Sequence, residues 1–253
     1  MFDGFDGFGF VQQQRRYWNG ADQARFHWQT RNPVMAPSEA ALLERVAPRP
    51  GERILEIGCG EGANLHHLRE RGAIRYGVDF SRAKTAFARH ATAAHTVTAD
   101  ASRLPFADAC FDAVLIRDVL HHVADPQAVL DEARRVLRPT GRLTLLEPNV
   151  GSPAILLQAT LVTAERRLLG STRARLRKLV DAAGFTIALE SADNPFPIDR
   201  VLLHPRMGLP SLAQLRFVER ALRFIDSVAR RLLPARVWMY LVFEAVPKGE
   251  HSI

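Results

Sequence analysis

Apolar and polar positions alternate along the middle of the chain in a way that predicts strands and helices in turn. Short apolar runs stand at RILEI (53–57), IRYGVD (74–79), HTVTAD (95–100), FDAVLI (111–116) and GRLTLLE (141–147). Helical spacing separates them. One helix ends near Gly72, one can be capped by Ser81, and one starts at Asp125-Pro126 and stops before Pro139. Such alternation with short connections predicts a parallel sheet covered on both faces. After Pro148 the spacing is interrupted. SPAILLQATLVTAERRLLG reads as an apolar helix, and STRARLRKLVDAAGF as an amphipathic one from Ser171 to just before Gly184. FTIALESA (185–192) is a sixth strand and VWMYLVFEAVP (237–247) a closing one. Residues 148–170 and 193–235 are then helical insertions in an α/β frame.

Upstream of the sheet, PSEAALLERVA predicts a helix with Ser38 at its N-cap. Residues 1–14 repeat Phe-Asp-Gly and run into three Gln, with little to bury. Residues 1–35 are therefore expected to form an arm whose first part is flexible, and 36–253 the main domain. Tyr17, Trp18, Phe26 and Trp28 read first as packing side chains and second as ligand contacts. Near the C-terminus, Leu215, Val218, Leu222, Ile225, Ala229 and Leu232 recur at steps of three and four, with Arg216, Arg220, Arg223, Arg230 and Arg231 elsewhere on the helix. Three readings of this helix follow in order: packing with a solvated basic face, a lid over an apolar substrate, and contact with an anionic membrane.

Composition narrows the classes. The chain of 253 residues is 47% apolar, enough for one sizeable core. Its net charge of +7 comes mostly from Arg, without a Lys tract or a basic stripe among aromatics, so no nucleic-acid partner is expected. No apolar stretch is long enough to span a membrane, and the first residues are acidic where a signal peptide is basic; a cytoplasmic location is the expectation. The two cysteines, Cys59 and Cys110, have neither disulfide nor zinc spacing, and no metal is expected.

The most informative stretch is ILEIGCGEGANL, residues 54–65: a strand enters a turn with Gly58, Gly60 and Gly62 and leaves into a helix. Glycine lets a ligand lie against bare backbone, and the helix start offers unpaired N–H groups. Asp79 ends the next strand, where a carboxylate can accept both hydroxyls of a ribose. The pattern Gly58-x-Gly60-x-x-Ala63 also satisfies a dinucleotide fingerprint. Glu56 and Asp100 tilt the balance, because an acidic rim opposes a pyrophosphate and suits a ligand carrying a sulfonium and an ammonium.

Five blocks in order, LEIGCGEG, GVDFS, DASRLPFADACFDAV, LHHVADP and RVLRPTGRLTLLEP, resemble the class I S-adenosylmethionine-dependent methyltransferases, particularly the small-molecule group that includes the ubiquinone and menaquinone C-methyltransferases. The resemblance covers residues 36–147 closely and the remainder in architecture. It implies a doubly wound, Rossmann-like seven-stranded sheet of order 3-2-1-4-5-7-6 with the last strand antiparallel. It implies S-adenosyl-L-methionine as cofactor: Glu56 and the loop Gly58, Gly60, Gly62 for the methionine portion, Asp79 for the ribose, Phe80 against the adenine, Asp100 and Ala101 for the adenine ring, and Arg117 for backbone contacts to the methionine portion. Thr140 departs from the pattern, where a second glycine is common.

His121 and His122 follow the fourth strand at the edge where doubly wound folds bind ligands. His121 is the candidate acid–base residue, against the reading that one His packs and the other lines the pocket. His66 and His67 read as structural or exposed. The expected activity is methyl transfer to an O, N or C atom of a small, hydrophobic molecule. The rivals are an NAD-dependent oxidoreductase and a non-catalytic cofactor-binding homologue. The two insertions, with the aromatic segment 17–28, are expected to roof the acceptor pocket.

Overall fold

The computed structural model describes residues 7–205 and 208–249. Seven strands form its sheet: β1 (Arg53–Ile57), β2 (Ile74–Asp79), β3 (His95–Thr98), β4 (Phe111–Arg117), β5 (Leu137–Pro148), β6 (Phe185–Asp193) and β7 (Tyr240–Pro247). Their order is β3-β2-β1-β4-β5-β7-β6. β1 to β5 pair in parallel, while β7 runs antiparallel to both β5 and β6. This is the expected fold.

Ten helices surround the sheet among the described residues: α1 (Gly7–Trp18), α2 (Gln23–Arg31), α3 (Met35–Leu42), α4 (Ala63–His67), α5 (Arg82–Thr92), α6 (Pro126–Val136), α7 (Pro153–Leu161), α8 (Arg173–Ala182), α9 (Ile198–Leu202) and α10 (Arg216–Leu232). The near-continuous apolar runs of β1 and β4 arise because these central strands are covered on both faces. α6 shows how sequence makes an element. Asp125 accepts from the N–H groups of Gln127 and Ala128, Pro126 opens the first turn, and Val129, Leu130, Ala133 and Val136 are buried. Ser81 caps α5 in the same way by accepting from Lys84 N–H.

Several local expectations change. Ser38 lies inside α3 and its hydroxyl donates back to Val34 O; Asn32 Oδ1 instead accepts from the N–H groups of Val34 and Met35. Thr172, not Ser171, caps α8. The apolar helix after Pro148 breaks at Val162, whose backbone is extended, and continues as a 3-10 turn over Thr163–Gly170. The break lets Glu165 and Leu168 turn inward while Leu156, Leu157 and Leu161 stay exposed. The closing strand starts at Tyr240, after a 3-10 turn at Ala235–Val237. Residues 1–6 lie outside the described residues; 7–14 belong to α1, where Gln14 is buried and its side-chain oxygen accepts from Trp18 Nε1 at 3.1 Å.

α10 packs through one edge of its apolar face. Val218 and Leu222 join Val34, Leu203 and Ala213 in a small cluster, and Ala229 is buried further along. The adjoining edge is open: Phe217 is 69% exposed, Phe224 70% and Leu232 75%.

Candidate functional site

The glycine loop joins β1 to α4 with Gly58, Gly60 and Gly62 all at positive φ. Each does something different. A Cβ on Gly58 would lie 2.3 Å from Val119 Cγ2, so this glycine allows β4's exit loop to pack. Gly62 precedes α4 and faces Ala88 of α5, where a Cβ would come within 2.9 Å. At Gly60 a Cβ would meet no atom within 4 Å; its backbone faces open space, and its N–H donates to Asp79 Oδ2 at 3.0 Å.

That space is a cavity of about 280 Å³ at the carboxyl ends of β1, β2 and β4. Glu56, Gly58 and Gly60 line its floor, Asp79 and Phe80 one side, Asp100 and Ala101 the next, and Arg117 the depth. Gly62 does not border it, because its turn is committed to helix packing. Asp79 Oδ1 accepts from Ser81 N–H at 2.8 Å, and burial raises this carboxyl above its usual range. Asp100 Oδ1 accepts from both the N–H and the hydroxyl of Ser102.

Glu56 is the most constrained group. Its Oε1 accepts from Asn64 Nδ2 at 2.6 Å, while Oε2 is buried without a partner among the described residues. Burial lifts its pKa to about 8 against the opposing Asn64 bond. From Asn64 a chain of contacts runs inward. Arg117 Nη1 donates to Asn64 Oδ1 at 3.0 Å and to Glu39 Oε2 at 2.5 Å, and Arg200 of α9 pairs with the other Glu39 oxygen. Burial opposes ionisation of Glu39, but the two guanidiniums outweigh it and hold the pKa at about 2. The Arg117 side chain is thus a buried structural link as well as a lining group.

The roof comes from the N-terminal arm. Gln14 and Trp18 of α1 and Arg25 and Gln29 of α2 border the cavity. Lys84 Nζ lies 5.3 Å and Arg25 5.4 Å from the Trp18 ring centre. Asp22 N–H donates to Glu61 Oε1, and Ser81 hydroxyl to Asn19 O, fixing the arm to the loop. Of the four arm aromatics, Trp18 reaches the cavity, Phe26 and Trp28 are buried in packing, and Tyr17 is exposed. The available signal was aromatic and basic residues mixed without a helical period. No side chain of α7 or α10 borders the cavity, so the expected roof from these two helices is corrected: the packed edge of α10 points to Val34 and Leu203 instead.

The histidines separate too. His121 is buried with Nδ1 2.7 Å from Glu147 Oε2 and is not on the cavity wall; His122 is. Burial disfavours charge on both rings, yet the Glu147 carboxylate raises His121, whereas the His121 neighbour pushes His122 further down. His121, the expected acid–base residue, therefore stands one layer behind the wall. Glu165 approaches it from the 3-10 turn. His67 Nε2 contacts Gln29 O at 2.9 Å, a link between α4 and the arm.

A sheet of this order, parallel but for β7, with an acidic-rimmed glycine loop at its switch point, defines the class I methyltransferase fold. Residues 55–145 match the family described as "Methyltransferase domain". The chain is 37% identical over 123 residues to a demethylmenaquinone methyltransferase of Corynebacterium kroppenstedtii, covering 49% of this chain and 52% of that protein. It is 42% identical over 106 residues to one of Mycolicibacterium paratuberculosis, covering 42% of this chain and 46% of the relative. The matched part thus spans about half the length of these curated relatives. Among solved structures, Haemonchus contortus phosphoethanolamine N-methyltransferase 2 with S-adenosyl-L-methionine superposes at TM-score 0.68 and 20% identity, over 97% of this chain and 61% of that one. Geranyl diphosphate C-methyltransferase of Streptomyces coelicolor A3(2) gives 0.62 at 16% identity, over 94% and 98%. At these identities the structures show the fold.

Proposed function

We propose that the chain is an S-adenosylmethionine-dependent methyltransferase acting on a small, apolar acceptor. The observation that carries this is the cavity floor: open space at Gly60 beside the buried, unpartnered Glu56 Oε2. A cationic amino-acid head gives that oxygen a donor and favours the ionised form of Glu56, whereas a dinucleotide's diphosphate offers it neither a donor nor a compensating charge. When bound, the cofactor supplies a methyl group made electrophilic by the sulfonium. The protein's part is alignment and exclusion of water. Asp79 accepts ribose hydroxyls, Phe80 and Ala101 face the adenine, Glu56 with Asn64 holds the ammonium, and Trp18 with Val119 and Val123 gives the apolar wall.

The acceptor's apolar character is supported by that wall and by relatives named for demethylmenaquinone. The open edge of α10 supports contact with an anionic lipid surface, where such an acceptor resides. Phe217 and Phe224 lie one above the other on the helix, and Arg216, Arg220 and Arg231 flank them without ion pairs among the described residues. Calorimetric titration with S-adenosylhomocysteine, NAD and NADP tests the cofactor. Binding of the first alone is expected; a preference for NAD would overturn the reading.

A further inference from the structure

Behind the wall that His122 presents to the cavity, three ligand-type side chains from separate parts of the chain meet. His121 and His122 follow β4, and Glu165 belongs to the turn Thr163–Gly170. A ring nitrogen of each histidine and a carboxylate oxygen of Glu165 lie within 4.8 Å of one another, with His121 Nε2 3.7 Å from Glu165 Oε2.

Both imidazoles are fixed in one tautomer from their far sides. Glu147 Oε1 accepts from the N–H groups of Val119 and Leu120, and its Oε2 faces His121 Nδ1 at 2.7 Å, so that nitrogen carries the hydrogen. Trp18 Nε1, which can only donate, bonds the Gln14 side-chain oxygen at 3.1 Å. His122 Nδ1 sits 2.9 Å from the same oxygen and must donate to it. Nε2 of each ring keeps its lone pair. The Glu165 side chain is only 6% exposed, and among the described residues it accepts no hydrogen bond; His121 is its one ion-pair contact, with the Arg25 charge acting on it from farther off. Such a carboxylate is costly to bury without a positive partner.

We propose that His121, His122 and Glu165 bind a divalent transition-metal ion of the zinc type. Two imidazoles and one carboxylate, with coordination positions left over, are a known donor set for Zn²⁺ and Fe²⁺. A carboxylate on the outer N–H of a ligating His orients the ring and raises its basicity, and Glu147 is so placed. Ligands about 2.0–2.1 Å from a tetrahedral ion stand about 3.3 Å apart, so small side-chain shifts close the His121–Glu165 gap. The carboxylates of Glu147, Glu165 and Asp118 surround His121 and favour a cation there, while Arg25 and Lys84 act against it from the His122 side. The inference rests on the methyltransferase reading and deepens it. Because His122 lines the cavity, an ion on these three side chains would stand next to it, where it could hold an oxygen donor of the acceptor and lower its pKa. The acceptor is then an apolar molecule carrying a hydroxyl or comparable oxygen beside the methylated atom.

The test uses the full, untagged chain, stripped by chelator and titrated with Zn²⁺ against a chromophoric indicator and with Co²⁺ by visible absorption. One equivalent should bind, with Co²⁺ d–d bands. Glu165→Gln and His122→Gln should weaken it more than tenfold, and Glu147→Gln by roughly 10–100-fold. Calorimetry with S-adenosylhomocysteine on each variant reports the fold and the cofactor site separately. Metal binding by Glu165→Gln and His122→Gln equal to that of the parent, or no stoichiometric binding by the parent, overturns the site. The second result leaves a protonated His121 bridging two carboxylates. Intact S-adenosylhomocysteine binding in either case leaves the methyltransferase reading standing.

Discussion

Glu56 shows how one buried side chain encodes both a binding site and a stability cost. Its carboxyl stays protonated in the folded protein up to about pH 8, whereas the unfolded chain ionises near its ordinary value of 4.5. A raised folded pKa means the unfolded state releases the proton first, so this group's contribution to stability falls as pH rises from about 4.5 to about 8. Glu56→Gln should lack that decline. In urea denaturation without ligand, its stability relative to the parent should grow across the window by a few kcal/mol. A constant difference across pH would refute the burial argument. The mutant should also lose affinity for the cationic cofactor, so the same residue trades fold stability for recognition.

At the scale of elements, periodicity and end signals decided what could be read in advance. β1, β2, β4 and α6 were legible because apolar runs, Asp125-Pro126 and the glycine loop all agree locally. Most of the cavity floor was legible for the same reason, since its residues sit at strand ends. Trp18 was legible as part of the aromatic segment 17–28 expected over the pocket, and it borders the cavity. Gln14 was not, because its role depends on α1 meeting His122, a contact remote in sequence that leaves no period behind. Glu165 was hidden differently, because the unbroken apolar pattern after Pro153 gave no sign that the helix breaks at Val162. α10 was read as one apolar face, of which Val218, Leu222 and Ala229 are buried against the body. The other edge predicts that Phe217→Ser combined with Phe224→Ser, changes at exposed sites, will leave stability within about 0.5 kcal/mol. Co-sedimentation with phosphatidylglycerol vesicles should be lost while S-adenosylhomocysteine affinity stays. Equal sedimentation of parent and double mutant would remove α10 as the lipid contact.

Across the whole molecule, Glu39 ties the arm side of the domain to the insertion. It receives Arg117 from β4 and Arg200 from α9, all three nearly or fully out of water. Glu39→Gln leaves two guanidiniums facing a neutral amide. A loss of about 3–5 kcal/mol is expected, as for other broken buried ion pairs. Chemical denaturation measures it, and a loss below about 1 kcal/mol would show that water reaches the pair.

The sheet order carries a consequence for how the protein is made. β7 lies between β5 and β6, yet it is the last strand to leave the ribosome. Until residues 240–247 emerge, β6 has no sheet neighbour and β5 presents a bare backbone edge on that side. The nascent chain therefore carries an unpaired β6 and a bare β5 edge through the synthesis of α9 and α10, the condition under which strands of neighbouring chains pair wrongly. The arginine-rich stretch made in that interval repels its counterpart on another copy. The same residues that face outward in the finished protein then help keep unfinished copies apart.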